Sequence, residues 1–328
     1  MSIRILKPGL LTTLQDAGRM GFQHLGVNPG GAMDLRAMQT ANALVLNGLD
    51  EAVIEFYFPA PVIQFKAASF IALSGADFSA TANGTPIPIN HPIYLPANTV
   101  LQFNRKIQGQ IGYLAVQGGF DLSDWLNSYS TNLKVAAGGF EGRTLLTGDE
   151  IDLKRHAKWN GSGIESAVMP WKAATESFYT TNPFRFIPGN EFDLLSEHAK
   201  KIFTTEGFTI QPQSDRMGYR LHGPTLDVAI STEMISTAVT RGTIQRLPSG
   251  QCIVLMADHQ TTGGYPRIGH IISADLPGLA QKGSAEVLHF TPTDLFTAEN
   301  LWVAQEQHLQ QLKNACILQL DAYHRIPF

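Results

Sequence analysis

Residues 252–256 read Cys-Ile-Val-Leu-Met, and residues 257–266 continue as Ala-Asp-His-Gln-Thr-Thr-Gly-Gly-Tyr-Pro. The first part is an apolar run of strand length, and the Gly-Gly pair with the following proline is typical of a turn. The same combination, a short apolar run bounded by Gly, Pro, Asn or Asp, recurs along the chain. We therefore predict a mainly β protein, with strands at 53–58, 70–74, 99–103, 112–117, 150–153, 184–187, 252–256, 269–272 and 287–290.

Three segments instead have the apolar spacing of an amphipathic helix. In residues 35–46 this spacing follows Asp34, a suitable N-cap, and precedes Gly48, a suitable helix stop. Residues 191–203 and 297–317 show the same periodicity, and the last of these predicts a helix that packs on the surface near the chain end.

The length of 328 residues corresponds to about two domains. The short-strand pattern stops after residue 154, so we predict a β-rich half at 1–155, a connector at 156–181 and a second β half with the terminal helix at 182–328. Arg-Met-Gly-Phe at 19–22 is echoed by Arg-Met-Gly-Tyr at 216–219. This echo favours two similar halves, although matches of four residues also arise by chance.

The composition excludes several classes of protein. Charged residues make up only 16% of the chain and the net charge is -4, so there is no basic surface of the kind that binds nucleic acid or anionic lipid. The start of the chain lacks an apolar stretch of signal-peptide length, and the apolar runs are too short to cross a membrane. Cys252 and Cys316 lack metal-ligand spacing, so we expect neither a disulfide nor a metal site. Together with the lack of a signal peptide and of a membrane-spanning run, this predicts a cytoplasmic protein.

The densest group of polar residues lies in the loop after the 252–256 run. Its side chains, among them Asp258 and Gln260, stand at a strand end, where loops on a rigid scaffold often carry function. The backbone N–H groups of Gly263 and Gly264 can approach an anion or a developing oxyanion, because no Cβ blocks them. The alternative is a plain Gly-Gly turn in which Thr and Asp bond their own backbone.

Two arginines have an acidic residue close before them in the sequence: Arg19 is three positions after Asp16, and Arg216 directly follows Asp215. An arginine held in this way can bind a carboxylate or phosphate in a bidentate manner. The alternative is a structural ion pair, with Asp34 acting only as a helix cap. The hydroxyl cluster at 128–131 could line a pocket but has no base beside it. Neither standard phosphate-binding glycine loop is present in the sequence.

Several strings, in this order along the chain, resemble one family. They are Thr-Leu-Gln-Asp-Ala-Gly-Arg at 13–19, Gly-Ala-Met-Asp at 31–34, Ala-Asn at 41–42, Leu-Ser-Gly-Ala at 73–76, Leu-Ala-Val-Gln-Gly-Gly at 114–119, the stretch 139–149 and, above all, Gln-Thr-Thr-Gly-Gly-Tyr-Pro at 260–266. By these strings the chain is identified as a member of the allophanate hydrolase subunit 2 family, over residues 3–290. The resemblance implies a mainly β, cyclophilin-like barrel architecture with a few peripheral helices.

The resemblance also implies a function within a complex. A separate chain of this length most resembles the C subunit of bacterial ATP-dependent 5-oxoprolinase, which opens the 5-oxoproline lactam to L-glutamate. Such a chain works with a B subunit of the subunit 1 (Kip inhibitor) type and with a separate A subunit, with ATP and Mg at the level of the complex. One alternative is a carboxyltransferase component that acts on urea or a related amide, with biotin on another chain. Another is a non-catalytic regulator that binds a Kip inhibitor-type partner.

By analogy with this family, we assign roles to individual residues. An arginine would bind the substrate carboxylate, Gln260 and the Gly-Gly amides would bind the carbonyl oxygen, and an aspartate would orient groups or move protons. The residues expected to be catalytic are Asp16, Arg19, Arg216, Asp258, Gln260 and Tyr265. Those expected to bind substrate are Gln15, Asp34, Gln117, Gly118, Gly119, Ser128, Thr131, Gln245, Thr261, Thr262, Gly263 and Gly264.

The chain departs from the family pattern at three places. Residues 127–131 read Asn-Ser-Tyr-Ser-Thr where relatives tend to show Gly-Ser-Arg-Ser-Thr, and residues 283–284 read Gly-Ser where Gly-Asp is usual. His259 also stands where relatives tend to carry a smaller residue. These departures indicate a divergent member of the family.

Overall fold

The structure is a computed structural model that describes residues 1–154, 165–229 and 234–325. The chain forms two compact units that are not continuous in sequence. The first unit contains residues 1–19, 34–175 and the chain from 306 onward, and the second contains residues 20–33 and 176–305. The division into 1–155, 156–181 and 182–328 stays a prediction, and residues 156–164 of the expected connector lie outside the described residues.

The first unit is built from two sheets. In one sheet the strand order is β11-β1-β4-β9-β6-β7, and in the other it is β12-β8-β5-β10-β3-β2. Side chains of both sheets form one apolar core, to which Ile3, Ile63, Phe56 and Leu114 belong. The strands are β1 (Ser2–Lys7), β2 (Thr12–Gln15), β3 (Val53–Tyr57), β4 (Val62–Phe65), β5 (Ser69–Asp77), β6 (Ala80–Ala82), β7 (Thr85–Pro86), β8 (Pro92–Leu95), β9 (Thr99–Phe103), β10 (Gln108–Val116), β11 (Glu150–Asp152) and β12 (Ala167–Val168).

The second unit contains an eight-stranded sheet in the order β21-β14-β15-β18-β17-β20-β13-β22. The two edge strands, β21 and β22, are separated along the chain by His289 alone, so the sheet curls back on itself as a nearly closed barrel. The strands are β13 (Phe184–Pro188), β14 (Phe208–Ile210), β15 (Gly218–His222), β16 (Thr237–Ala238), β17 (Thr243–Arg246), β18 (Cys252–Leu255), β19 (Thr262–Gly263), β20 (Arg267–Ile271), β21 (Val287–Leu288) and β22 (Phe290–Pro292). The mainly β architecture with a cyclophilin-like barrel is confirmed.

Helices lie at α1 (Leu35–Leu44), α2 (Glu197–Thr205), α3 (Leu276–Ala280) and α4 (Leu295–Arg325). Asp34 caps α1 as predicted, because its side chain accepts a hydrogen bond from the Ala37 N–H. Gly48 is not the stop: α1 ends at Leu44, and Leu46 takes the left-handed conformation at φ 59°. The helix expected at 191–203 begins later, at Glu197, since the Ser196 side chain caps the Ala199 N–H.

Each predicted strand overlaps an observed one, and the run 287–290 divides into β21 and β22. Sequence reasoning missed several apolar strands of ordinary length, such as Ser2–Lys7 and Val62–Phe65. It also missed strands of two other kinds: some carry polar residues in the buried positions, as in Thr12–Gln15 and Thr243–Arg246, and others have only two or three residues. Apolar periodicity cannot detect either kind, because the first lacks apolar contrast and the second lacks length.

Candidate functional site

A cavity of about 540 Å³ lies on one face of the second unit's sheet. Its floor is formed by side chains that alternate along β15 and β18, such as Arg220, Ile253 and Leu255, with Gln245 from β17. The intervening residues, such as Tyr219 and Val254, are buried in the core. The period of two along a strand therefore separates a core face from a face that can receive a ligand.

The register places the cavity residues in rows across the strands. Arg220 of β15 pairs with Ile253 of β18, and Ile253 pairs in turn with Gln245 of β17. In the next row, Gly218 pairs with Leu255. Because adjacent strands are about 4.8 Å apart, the Cα atoms of Arg220 and Gln245 are separated by about 10 Å, with an apolar side chain between them.

Two glutamine amides form the polar wall of the cavity. Gln260 Nε2 donates to Gln245 Oε1 at 3.4 Å, and Gln245 Nε2 donates to the carbonyl oxygen of Tyr265, also at 3.4 Å. Gln245 is only 1% exposed, whereas Tyr265 is 44% exposed at the cavity rim. Because both polar atoms of the Gln245 amide are engaged, Gln260 is the amide of this pair that can offer donor and acceptor atoms to a ligand.

Gly263 is required for this arrangement of amides. A Cβ at this position would come within 2.6 Å of Gln245 Nε2, a distance that real Cβ contacts do not show. The backbone of β19, to which Thr262 and Gly263 belong, pairs with β16, and the carbonyl oxygen of Thr261 accepts the Val239 N–H at 3.1 Å. Thr261, Thr262 and Gly263 thus take part in backbone pairing, and Gly264 follows them beside Ser236.

Arg216 and Asp258 lie together, but as a closed ion pair. Arg216 Nε donates to Asp258 Oδ2 at 2.8 Å, and Nη2 donates to Oδ1 at 3.0 Å. Nη2 also donates to the carbonyl oxygen of Gly31 at 2.7 Å, and the Arg216 side chain is only 7% exposed. Arg241 binds the next carbonyl oxygens, those of Ala32 and Met33. The two arginines thus hold segment 20–33 against the rest of the second unit.

Asp16 and Arg19 belong to the first unit and are part of its loop structure. The Asp16 carboxylate accepts the hydroxyls of Ser128 at 2.7 Å and Ser130 at 2.5 Å, together with the Tyr129 N–H at 2.5 Å. Arg19 is fully buried, donates to the carbonyl oxygen of Ser130 and stacks 4.5 Å over the ring of Trp125. Both contacts favour the structural interpretation of these residues.

The other first-unit residues expected to bind substrate are likewise engaged. Gln15 Nε2 donates to Thr13 Oγ1 at 3.0 Å and to the carbonyl oxygen of Thr131, whose hydroxyl bonds the carbonyl oxygen of Leu14. Asp34 is fully buried, caps α1 and donates its N–H to the Tyr113 hydroxyl.

The Gln-Gly-Gly turn after β10 is anchored through its backbone. The Gln117 N–H bonds the carbonyl oxygen of Phe70 at 2.9 Å, and the Gly118 N–H bonds Asn47 Oδ1 at 2.8 Å. Gly119 has φ +82°, and a Cβ there would approach Glu51 to 2.6 Å. These contacts account for the two glycines without a ligand.

Of the residues predicted to form the site, the structure therefore gathers Gln245, Gln260 and Tyr265 around one cavity. Arg216 and Asp258 form an ion pair in the same unit. The predicted site residues of the first unit, such as Asp16, Arg19 and Gln15, contact other residues of that unit. Sequence reasoning missed Arg220, Ile253 and Leu255 as lining residues. These side chains alternate with core side chains along β15 and β18, and this alternation could have identified them if the pairing of the two strands had been known.

Two groups near the loop have shifted pKa values, one through burial and one through hydrogen bonds. Desolvation lowers the pKa of His259, which is 3% exposed and whose Nδ1 lies 2.6 Å from the carbonyl oxygen of Gln260. Glu191 has its pKa lowered chiefly by hydrogen bonds from Arg267, the residue that follows the Tyr-Pro end of the loop. The loop after β18 thus contains a buried imidazole whose pKa is lowered and is flanked by the Arg267–Glu191 ion pair.

Within residues 1–154, 165–229 and 234–325, no group of three or more His, Cys, Asp or Glu side chains is arranged to hold a metal ion. In that same part of the chain, no helix has both the length and the apolar character needed to cross a membrane.

Comparison with known proteins gives consistent matches. The family described as carboxyltransferase domain, subdomain A and B, matches residues 25–292. The chain is 35% identical to a Haemophilus influenzae protein named as the C subunit of 5-oxoprolinase, over 95% of this chain and 97% of that protein. It is 33% identical to the Escherichia coli protein of the same name, over 94% and 97%. The crystal structure of K. lactis urea amidolyase matches with a TM-score of 0.86 and 26% identity, over 95% of this chain but 20% of that one.

Proposed function

Because this chain belongs to the family of carboxyltransferase domains with subdomains A and B, we propose that it is the C subunit of an ATP-dependent 5-oxoprolinase. The observation that carries the proposal is its similarity, over nearly the full length of both chains, to two proteins named as the C subunit of 5-oxoprolinase. The reaction is the opening of the 5-oxoproline lactam to L-glutamate. The chain acts within a cytoplasmic complex with a Kip inhibitor-type B subunit and a separate A subunit.

The paired glutamine amides suit a lactam. A five-membered lactam is a cis amide, so its N–H and C=O point to the same side of the ring. A primary amide presents one acceptor and one donor with the same spacing and can form two parallel hydrogen bonds with it. Gln260 is the residue for this role, because it lines the cavity and its Nε2 donates to Gln245 Oε1, which fixes the position of the amide.

Hydrogen bonds to the lactam oxygen would favour ring opening. The amide C–N bond has partial double-bond character, and attack at the carbonyl carbon moves negative charge onto the oxygen. The Gln260 Nε2 group, on the wall of the cavity, is the donor that we assign to this oxygen. Gln245 acts as a positioning residue, since its Oε1 accepts from Gln260 and its Nε2 donates to the carbonyl oxygen of Tyr265.

The described residues that line the cavity do not fit a magnesium nucleotide. The sequence has neither standard phosphate loop, and Asp215, the acidic residue among the described cavity lining, already accepts the Met217 N–H at 2.8 Å. We therefore assign ATP and Mg to the other subunits and derive no nucleotide-dependent step from this chain.

The decisive experiment is reconstitution. This chain is co-expressed with its neighbouring subunits, and 5-oxoproline-dependent ATP hydrolysis is measured with each component omitted in turn. We expect activity only with all components, and we expect Gln260→Ala to lower turnover about tenfold or more without loss of assembly. Gln310→Ala, a change at an exposed glutamine of α4, is the matched control and should be silent. Absence of 5-oxoproline-dependent hydrolysis in the complete complex would refute the proposal.

One further candidate is a carboxyltransferase component that acts on urea or a related amide. The structural match to urea amidolyase, with a TM-score of 0.86, favours it. This reaction requires biotin on another chain. Carboxylation of urea that depends on an added biotin carrier, in a complex silent toward 5-oxoproline, would select this candidate over the first.

A further inference from the structure

Arg220 has the chemistry of an anion-binding residue in the cavity. Among the described residues that line the cavity, only Asp215 and Arg220 carry a charge. The Arg220 backbone is fixed on both sides, since its N–H donates to Ser214 Oγ at 3.0 Å and its carbonyl oxygen accepts the Gln211 N–H at 2.8 Å. Its side chain is exposed and makes no hydrogen bond or ion pair with any described residue.

Other arginines of this unit are committed to protein groups. Arg216 is paired with Asp258, Arg267 with Glu191, and Arg246 donates to the carbonyl oxygen of Leu226 at 2.9 Å. An exposed guanidinium on a rigid strand can offer two parallel N–H groups to a carboxylate without first breaking an internal ion pair. The sequence-predicted carboxylate ligand, Arg216, would have to release Asp258 to do the same.

The second charge of the cavity is partly offset. Asp215 Oδ1 accepts the N–H groups of Met217 at 2.8 Å and Gly218 at 3.3 Å. These bonds tie the aspartate to the start of β15 and lessen its repulsion of an incoming anion.

The cross-strand row arranges three kinds of surface in sequence. Arg220 stands at one end, the apolar side chain of Ile253 in the middle, and Gln245 with its neighbour Gln260 at the other end. The two ends are separated by about two strand spacings, or about 10 Å between Cα atoms. A ligand matching this row has a carboxylate for Arg220, an apolar ring face for Ile253 and an amide for Gln260.

We infer that Arg220 binds the carboxylate of a small carboxylated lactam, whose ring methylenes lie on Ile253 and whose amide faces Gln260. This inference rests on the proposed function, because 5-oxoproline has these three parts. Arg220 thereby determines specificity: it distinguishes 5-oxoproline from a lactam that lacks the carboxylate.

The test compares two substrates in the reconstituted complex: 5-oxoproline and 2-pyrrolidinone, the same ring without the carboxylate. We expect Arg220→Met to raise KM for 5-oxoproline by about 10- to 100-fold, as for loss of charged hydrogen bonds, with a smaller change in kcat. Arg220→Lys keeps the charge but not the bidentate geometry and should lie between the wild type and Arg220→Met. Arg105→Met, a change at an exposed arginine of the first unit, is the matched control.

A second measurement, binding of 5-oxoproline to the isolated full chain by saturation-transfer NMR, separates the inference from the proposed function. An active wild-type complex in which Arg220→Met leaves KM unchanged overturns the inference and leaves the function intact. An inactive wild-type complex whose isolated chain still binds 5-oxoproline, but not after Arg220→Met, supports the carboxylate site and refutes the function. If the wild-type complex is inactive and the isolated chain shows no Arg220-dependent binding of 5-oxoproline, both the inference and the proposed function are refuted.

Discussion

Replacing Arg216 by methionine tests whether this arginine is a structural clamp. The change removes two hydrogen bonds to Asp258, at 2.8 and 3.0 Å, and one to the carbonyl oxygen of Gly31 at 2.7 Å. It leaves the Asp258 carboxylate, only 16% exposed, without its counter-charge. Removal of one partner of a buried ion pair costs about 3–5 kcal/mol, and the partial exposure of Asp258 places the expected loss near the lower figure, at about 3 kcal/mol.

The loss is measured by thermal unfolding of the full chain and by amide hydrogen exchange. For a unit of this size, about 3 kcal/mol corresponds to a midpoint lowered by roughly 6–12 °C. Because Arg216 holds Gly31, exchange should accelerate most in peptides from residues 20–33. The double variant Arg216→Met with Asp258→Asn should lose about 2 kcal/mol less than the sum of the single variants.

Two results would refute this reasoning. One is an unfolding midpoint and an exchange pattern like those of the wild type, since the three bonds would then contribute little. The other is wild-type stability combined with a large loss of turnover, which would return Arg216 to the substrate-binding role predicted from the sequence.

Three further outcomes are expected. Gly263→Ala should displace the Gln245 amide, because the new Cβ would lie 2.6 Å from its Nε2. We expect this variant to lower kcat/KM about tenfold with little change in stability. Gly48→Ala, at a position with open space around it, is the control and should have no effect. Arg267 lowers the pKa of Glu191, so this ion pair stabilises the fold above pH 4.5, the ordinary pKa of a glutamate, and the stabilisation is lost as pH falls through the folded pKa. Glu191→Gln should therefore flatten the acid limb of a curve of stability against pH. An unchanged acid limb would contradict this prediction. Burial raises the pKa of the Cys252 thiol to about 12 and that of Cys316 to about 11, so neither should react with a thiol reagent at about pH 8 until the chain is unfolded; reaction of the native chain would contradict this.

Local patterns predicted much of the fold. Short apolar runs with glycine and proline boundaries located strands of the barrel, including Cys252–Leu255, because a half-buried strand needs apolar side chains. Asp34 was recognised as a helix cap because a cap is satisfied within four residues. The predicted start of α2 was wrong because the same apolar spacing extended through the turn at Phe192–Leu194, ahead of the Ser196 cap.

The amino-acid sequence by itself determined that this is a mainly β chain of a recognisable family, with a polar glycine loop after an apolar strand. Only the tertiary structure decided which arginine remains available for a ligand. Arg216 and Arg220 are four residues apart, yet the first is neutralised by Asp258, 42 positions away, and anchored to Gly31, 185 positions away. The partner of a charge is set by strand pairing and loop packing over such separations, and local periodicity contains no information about them.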